Sequence, residues 1–189
     1  IILAIKNDIA IYAIHTNLDN VHQGVNKKIA EKLGLQNVRI LLPKQDNLSK
    51  LVVFIPQSHA DAVLTALHEA GAGQIGNYKN CSFSVAGMGT FQPNDVANPH
   101  IGEAGKQEKV EEIRAEVIFP SHLEGSLLKA LKQSHPYEEV AYYINSLRNE
   151  NQEVGAGMIG ELAEALEPAA FLAHLKKSMG LKVIRHTPL

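Results

Sequence analysis

Val53-Phe54-Ile55-Pro56 and Val117-Ile118-Phe119-Pro120 are two copies of one short pattern, an apolar run that ends in proline. A segment with helical spacing of apolar residues follows each copy, and the two prolines lie 64 positions apart, from 56 to 120. The same offset of 64 separates two further pairs, Leu67 from Leu131 and Tyr78 from Tyr142. Two βαβ halves of this size predict a ferredoxin-like split βαβ sandwich.

The helices of the repeat are predicted from their caps and their apolar spacing. Ser58 and Ser121 are predicted to cap the two helices, and Glu124 follows Ser121 at the spacing of a capping box. The predicted core draws on both strands and both helices: Val53, Phe54, Leu64, Leu67, Ile118, Phe119, Leu128 and Leu131. Because the repeat is continuous in the chain, we expect residues 49–148 to fold on their own.

A glycine-rich segment, Ser82–Lys109, joins the two halves of the repeat. It is predicted to be a long loop or hairpin, a kind of segment that often carries function. Backbone N–H groups around Gly87 and Gly89 could wrap an anion, or the segment could pack across subunits or bend over a cavity. The GK[ST] ending of a P-loop is absent, so nucleotide binding there has little support.

The segments on either side of the repeat are predicted to be pieces of a second, α/β domain, which makes the chain α+β. The predicted domains are residues 1–48, 49–148 and 149–189, with polar Asn145–Gly160 at the exit from the middle one. The predicted helices are the end of one at Ile1–Lys6, Asn26–Leu33 capped by Gly34, and Glu167–Met179 capped by Gly180; the predicted strands are Ile9–Ile14, Val38–Leu42 and Leu181–Ile184.

Composition and charge exclude several classes of protein. The formal net charge is −2 and no long basic run occurs, so nucleic acid is not an expected partner. No apolar run approaches the roughly 20 residues that span a bilayer. A single cysteine, Cys81, suits a reducing compartment, and we expect the cytoplasm. Since the chain opens on Ile1, we also expect an internal piece of a longer protein, with proteolytic trimming as the alternative.

His15 and Asp19 are the first candidates for chemistry, because they directly follow the predicted buried strand Ile9–Ile14. Ligands in α/β proteins bind at the carboxyl ends of strands. Imidazole and carboxylate together suit zinc, manganese or iron, but two ligands do not complete a metal site. The alternative is a histidine that bonds neighbouring backbone and an aspartate that caps a turn.

His135-Pro136-Tyr137-Glu138-Glu139 is the second candidate, at the predicted passage from helix to strand in the second half of the repeat. Its imidazole, phenol and two carboxylates could bind a cation or another polar ligand. The alternative is a turn made rigid by proline, with both acids in solvent.

Several stretches of the chain resemble the Nif-three-like family, whose members are also called GTP cyclohydrolase I type 2 homologs. The first is Tyr12–Asp19, followed by Gly24-Val25-Asn26 and a helix that ends at Leu33-Gly34-Leu35. The others, in order, are Gly76-Asn77-Tyr78, Cys81-Ser82-Phe83, Gly87–Phe91, His135–Glu139 and Gly155–Leu162. The resemblance covers essentially the whole chain, and it implies the longer branch of the family, which carries an inserted PII/CutA-like domain.

The resemblance also implies a pair of divalent metal ions, either zinc, iron or manganese. The family holds them with two adjacent histidines, one aspartate, and a histidine and glutamate near the C-terminus. Asp19 matches the aspartate, and His15 matches a histidine close to the metals, with a catalytic or a supporting role. The remaining ligands have no match in this chain, so it holds only part of the site. Ring-shaped homo-oligomers, often hexamers, are the assembly that the resemblance implies.

Two functions follow from these residues and this resemblance. The first is a metal-dependent hydrolase acting on a nucleotide-like substrate, with Asp19 as metal ligand and His15 placed for proton transfer. The second is a non-enzymatic regulatory or scaffold protein whose insert senses a small molecule, as PII-like domains do. A third possibility is a metal with a purely structural role.

Overall fold

The computed structural model describes residues 1–188 and divides into two compact units. The continuous unit is Gln45–Glu150, and the split unit is Ile1–Lys44 together with the chain from Asn151 onward. These divisions fall near the boundaries expected from the sequence, which lie at 48/49 and 148/149. The residues form a mixed α+β structure with two antiparallel sheets.

Helices and strands occur in both units and are numbered along the chain. They are α1 (Ile2–Lys6), α2 (Val25–Leu33), β1 (Gln36–Lys44), β2 (Leu48–Pro56), α3 (Ala60–Glu69), β3 (Phe83–Phe91), β4 (Glu108–Pro120), α4 (Glu124–Ser134), β5 (Tyr142–Leu147), β6 (Asn151–Glu161) and α5 (Pro168–Met179). Short 3-10 helices lie at His15–Asn20, Gln57–His59 and Ser121–Leu123.

The sheet of the continuous unit has the strand order β3-β4-β2-β5, and all its neighbours are antiparallel. Its elements follow one another as βαββαβ, the order of a split βαβ arrangement. β2 and β4 begin the two halves of the repeat and lie side by side at the centre. Val52 pairs with Glu116, its own counterpart at an offset of 64, so a local two-fold axis relates the halves at this pair.

The repeat becomes less regular after its helices. The residue numbers of two paired positions add up to 195 everywhere between β2 and β5, but to 199 between β3 and β4. The two outer ladders therefore differ in register by four positions. Counterparts in the two outer strands are therefore 60 positions apart instead of 64, and Tyr142 corresponds to Ser82. The predicted equivalence of Tyr78 with Tyr142 is wrong, because Tyr78 lies outside the strands and makes only an isolated bridge with Ile75.

α3 and α4 pack on one face of the four-stranded sheet and bury the core there. Eleven buried residues form this core: Leu51, Val53, Ile55, Val63, Leu67, Ala72, Ala115, Val117, Phe119, Leu127 and Leu131. Of the predicted core, Val53, Leu67, Phe119 and Leu131 are fully buried, and Leu64 and Leu128 pack against them. Phe54 and Ile118 were expected in this core, but they alternate with its strand residues and lie on the opposite face.

The predicted serine caps are wrong. Each serine lies in a 3-10 helix that precedes its α-helix, so α3 begins after His59 and α4 after Leu123, with no side-chain cap. The Ser58 hydroxyl lies 2.9 Å from His59 Nδ1. The Ser121 hydroxyl lies 2.9 Å from that of Ser49 and joins the end of β4 to β2.

Of the two alternatives predicted for the glycine-rich segment, the hairpin forms: β3 pairs antiparallel with β4, and only the middle part is a loop. β3 already spans Phe83–Phe91, so Gly87 and Gly89 are strand residues, paired with Glu112 and Val110. An anion loop around these glycines is therefore excluded, because the ladder fixes their backbone. The connection between β3 and β4 is residues 92–107.

The split unit contains the antiparallel pair β1–β6 and the helices α2 and α5. Both longer helices end as predicted, at Gly34 and Gly180 in the left-handed conformation that glycine adopts without steric cost. The His174 ring donates a hydrogen bond from Nε2 to the carbonyl of Leu33 at 2.9 Å and links α5 to the end of α2. Most of the predicted polar stretch 145–160 belongs to β6.

Two predicted strands, Ile9–Ile14 and Leu181–Ile184, are not strands in this structure. A strand needs a neighbour to bond its backbone N–H and C=O groups, and none pairs with these segments among residues 1–188. Their apolar side chains are correspondingly exposed, to 84% at Tyr12. Among the described residues, no helix is long and apolar enough to cross a membrane.

Candidate functional site

A cavity of about 630 Å³ lies in the continuous unit, on the face of the sheet opposite the helices. β3 and β4 form its floor, and Phe54 and Tyr143 line one side with their ring centroids 5.6 Å apart. The loop 92–107 and the turn that follows α4 enclose the rest. A volume of this size falls within the range of roughly 300–1,000 Å³ that is typical of small-molecule sites.

Two glycines of β3 make room for the cavity. Gly87 pairs with Glu112 and lines the cavity, and a Cβ placed on it would meet no heavy atom within 4 Å. A Cβ on Gly89 would collide with the carboxylate of Glu112. The absence of a side chain at Gly87 therefore leaves open space in the cavity. At Gly89 the corresponding space is filled by the Glu112 carboxylate.

Glu112 is the buried carboxylate of this cavity, with only 8% of its surface exposed. Its Oε1 accepts a hydrogen bond from the Tyr137 hydroxyl at 3.1 Å. Arg114, two residues on, forms an ion pair with Glu116 at 2.7 Å, and Lys50 bonds the same carboxylate at 2.8 Å. The Lys50 contact, ahead of Arg114, lowers the pKa of Glu116. Both cations therefore pair with Glu116, and the hydrogen bond that Glu112 accepts comes from the Tyr137 hydroxyl.

Tyr137 lines the cavity among aromatic rings. Its ring centroid lies 5.9 Å from that of Phe91, 5.1 Å from His135 and 6.3 Å from His100. Burial, followed by the negative charge and hydrogen bond of Glu112, raises the pKa of Tyr137 to about 12. The phenol is therefore a hydrogen-bond donor throughout the physiological pH range.

His135 holds the turn that carries Tyr137. Its Nε2 lies 2.9 Å from the Phe54 carbonyl, which can only accept, and its Nδ1 accepts from the Tyr137 backbone N–H at 3.1 Å. The ring is therefore neutral with its proton on Nε2. Burial lowers the pKa of His135, a shift that the hydrogen bond to Phe54 partly opposes. Both ring nitrogens are engaged, so His135 positions the turn and cannot itself bind a ligand.

The stretch His135–Glu139 agrees with the turn that the sequence offered as the alternative, with Glu138 and Glu139 exposed, and ligand binding by it stays a prediction. It forms a turn fixed by hydrogen bonds, and it also lines the cavity with Tyr137, Glu138 and Glu139. Glu138 accepts a hydrogen bond from the Asn98 backbone N–H at 2.9 Å and so connects the turn to the loop 92–107.

His15 and Asp19 lie together in the exposed 3-10 helix His15–Asn20 of the split unit. The φ angle of His15 is 46°, which is uncommon for a residue other than glycine. The Asn26 side chain donates to the backbone carbonyl of Asp19 at 2.7 Å and fixes this turn. Imidazole and carboxylate suit a divalent metal, but within residues 1–188 no three His, Cys, Asp or Glu side chains group to hold one. The described residues therefore do not complete a metal site.

Sequence reasoning missed Glu112, Arg114, Phe91 and His100, four residues that line the cavity. One signal for the first two was present. From Glu112 to Val117 charged and apolar residues alternate, the period of a strand with one polar face. Phe91 closes the motif Gly87–Phe91, but nothing in that motif marks it as a cavity residue. His100 carries no comparable signal, because the loop 92–107 brings it to the cavity.

Comparisons with known proteins identify relatives along the whole chain. The family model described as Duf34/NIF3 (NGG1p interacting factor 3) matches residues 1–188. Two proteins named "GTP cyclohydrolase 1 type 2 homolog" are similar: that of Halalkalibacterium halodurans is 44% identical over 183 residues, and that of Bacillus subtilis is 42% identical over 182. Each alignment covers 96% of this chain and 49% of the relative.

The crystal structure of a Bacillus cereus protein related to NIF3 gives a TM-score of 0.80 at 47% sequence identity. The superposition covers 95% of this chain and 47% of that one, so the chain spans about half the length of the relatives it matches. The match of the family model over residues 1–188, with relatives above 40% identity, shows that the chain belongs to the Duf34/NIF3 family.

Proposed function

We propose that the continuous unit is the ligand-binding module of a NIF3-family protein and that its ligand occupies the cavity on the open face of the sheet. The observation that carries this proposal is the hollow at Gly87, flanked by Glu112, a carboxylate more than nine-tenths buried. One oxygen of this carboxylate, Oε2, has no hydrogen-bond donor among the described residues and is free to accept from a ligand. The order βαββαβ supports a ferredoxin-like, PII/CutA-like character for this module, and a regulatory role fits such a module.

Filling the hollow tests the proposal. A small-molecule library is screened by thermal shift and ligand-observed NMR against the 189-residue chain, the variant Gly87→Val and the control Ser84→Val. Ser84 lies on the same strand, is exposed and does not line the cavity. We expect molecules that bind the unmodified chain and the control but not Gly87→Val. Binders that persist in Gly87→Val would contradict a site in this cavity.

We further propose that Asp19 supplies one ligand to a divalent-metal centre of zinc, iron or manganese, with His15 next to it and with groups outside this chain completing the site. The left-handed backbone of His15 supports this, since such strain concentrates at functional sites. The relatives' name supports a hydrolase acting on a nucleotide-like substrate. A cytoplasmic homo-oligomer, a hexameric ring as the family resemblance implies, belongs to the same proposal.

Metal content and turnover test this second function. The protein, extended to the length of its relatives, is compared with Asp19→Asn and with Glu31→Gln, an exposed control in the split unit. We expect about two metal ions per chain by mass spectrometry, a clear fall in Asp19→Asn only, and loss of GTP hydrolysis in that variant. Metal binding without turnover would leave the regulatory function, and an unchanged metal content would remove Asp19 as a ligand.

A further inference from the structure

We infer that the cavity selects a small organic cation, an amine or amidinium attached to an apolar body. This inference rests on the proposed function, in which the cavity binds a ligand, and it assigns the chemical class of that ligand. Three features of the described residues carry it: the balance of charge, the unused oxygen of Glu112 and the aromatic walls.

The charge around the cavity is predominantly negative. Three carboxylates line it, those of Glu112, Glu138 and Glu139, against one guanidinium, that of Arg114. The guanidinium is already paired with Glu116 at 2.7 Å. A negatively charged ligand would meet net repulsion here, whereas a cation would be attracted from solvent.

Glu112 offers a specific partner for such a cation. Its Oε1 accepts from Tyr137, while Oε2 lies over Gly89 and has no hydrogen-bond donor among the described residues. An ammonium or amidinium N–H would complete this carboxylate. Hydrogen bonds between charged groups are about twice as strong as neutral ones, and burial strengthens them further.

The walls suit the rest of the ligand. Phe91 packs edge to face on Tyr137, against which His100 lies tilted, and both pairs line the cavity. Phe54 packs edge to face with Tyr143 on another wall. Aromatic faces attract cations and cover apolar groups. A bare metal ion does not fit, because residues 1–188 hold no group of three or more His, Cys, Asp or Glu side chains able to coordinate it. The combination indicates an organic cation.

Three probes share a phenyl group and are similar in size but carry a positive, a neutral and a negative polar group: 2-phenylethylamine, 2-phenylethanol and phenylacetate. Calorimetry of these probes on the 189-residue chain tests the inference. We expect the amine to bind at least about tenfold more tightly than the alcohol, as one charged hydrogen bond implies. Glu112→Gln should weaken amine binding by a similar factor and leave alcohol binding unchanged. Glu111→Gln is the matched control, since Glu111 is the preceding residue of β4 but is exposed and does not line the cavity.

The outcomes separate this inference from the proposed function. If the amine does not bind, binds no better than the alcohol, or is unaffected by Glu112→Gln in a variant with native circular dichroism, the organic cation is excluded. If Glu112→Gln does not fold, Gly87→Val serves instead, and loss of amine binding there supports the inference when the unmodified chain also binds the amine more tightly than the alcohol. If the alcohol or phenylacetate binds instead and Gly87→Val abolishes that binding, the cavity is a ligand site, but for a ligand of another chemical class. Probe binding that survives Gly87→Val overturns the cavity itself.

Discussion

At the scale of single residues, a chain of hydrogen bonds joins two strands of the sheet through one turn. The Phe54 carbonyl of β2 accepts from His135, the His135 ring accepts from the Tyr137 backbone, and the Tyr137 hydroxyl donates to Glu112 of β4. In this series of hydrogen bonds, each group has its role as donor or acceptor fixed by its partner. Protonating His135 turns Nδ1 into a donor and removes its contact with the Tyr137 backbone N–H, and ionising Tyr137 removes the hydrogen bond to Glu112.

The ionisation of Tyr137 is directly measurable among the five tyrosines of the chain. We expect one tyrosine ring signal in NMR to titrate at about pH 12 and to disappear in Tyr137→Phe. Glu112→Gln should lower this pKa only in part, because burial is the larger cause of the shift. Circular dichroism at each pH verifies the fold. A late signal that remains in Tyr137→Phe would assign the shift to another tyrosine.

The neutral ring of His135 predicts how stability depends on pH. Its folded pKa lies below the ordinary value of 6.5, so between the two the unfolded chain binds more protons and the free energy of unfolding falls as pH falls. We expect the contribution of His135 to be complete above pH 6.5 and to be lost below it, in urea unfolding followed by circular dichroism.

His135→Gln provides the comparison for this titration. It should lower the free energy of unfolding at pH 7.5 by about 1–3 kcal/mol and reduce the slope below pH 6.5. His122→Gln is the control, because His122 is exposed. This variant should keep both the free energy of unfolding and the pH slope of the unmodified chain. An unchanged slope in His135→Gln would show that another histidine causes the acid sensitivity.

At the scale of elements, β3 contains two glycines with opposite requirements. We expect Gly87→Ala to stabilise the chain or leave it within about 0.5 kcal/mol, since its Cβ enters open space. Gly89→Ala should destabilise it by about 1–2 kcal/mol, because it displaces the buried Glu112 carboxylate from Tyr137. Thermal and urea unfolding of the two variants measure this, and equal effects would contradict the assigned environments.

The elements also show what local sequence patterns can predict. The repeat predicted β2, α3, β4 and α4, since apolar spacing and an internal copy are local features. The glycine-rich sequence around β3 predicts a long loop or a hairpin, because glycine is depleted in strands, and the hairpin is what forms. Only the ladder to β4 reveals that one glycine makes room for Glu112. Ile9–Ile14 has the composition of a strand, but pairing depends on a partner elsewhere in the chain. The cavity combines β3, β4, a loop and a turn, so no single segment predicts it.

At the scale of the whole molecule, the two units differ in how much they bury. All eleven residues of the core cluster belong to the continuous unit, whereas among residues 1–188 the buried apolar residues of the split unit are Ala30 and Ile40. We expect residues 45–150 expressed alone to unfold in one cooperative thermal transition. In the 189-residue chain this transition should recur, above an earlier one from the split unit. A fragment that fails to fold would contradict the independence of the continuous unit.

The register at both borders of the continuous unit has a consequence for how such a protein can change. β2 begins at Leu48 and β5 ends at Leu147, and these two residues are direct partners in the ladder. In the split unit, Lys44 and Asn151 are likewise partners between β1 and β6. The continuous unit therefore connects β1 to β6 at the position where a hairpin turn would otherwise connect them. Because the continuous unit enters and leaves the split unit at one pair of residues, it can be lost, exchanged or altered while β1 and β6 keep their register.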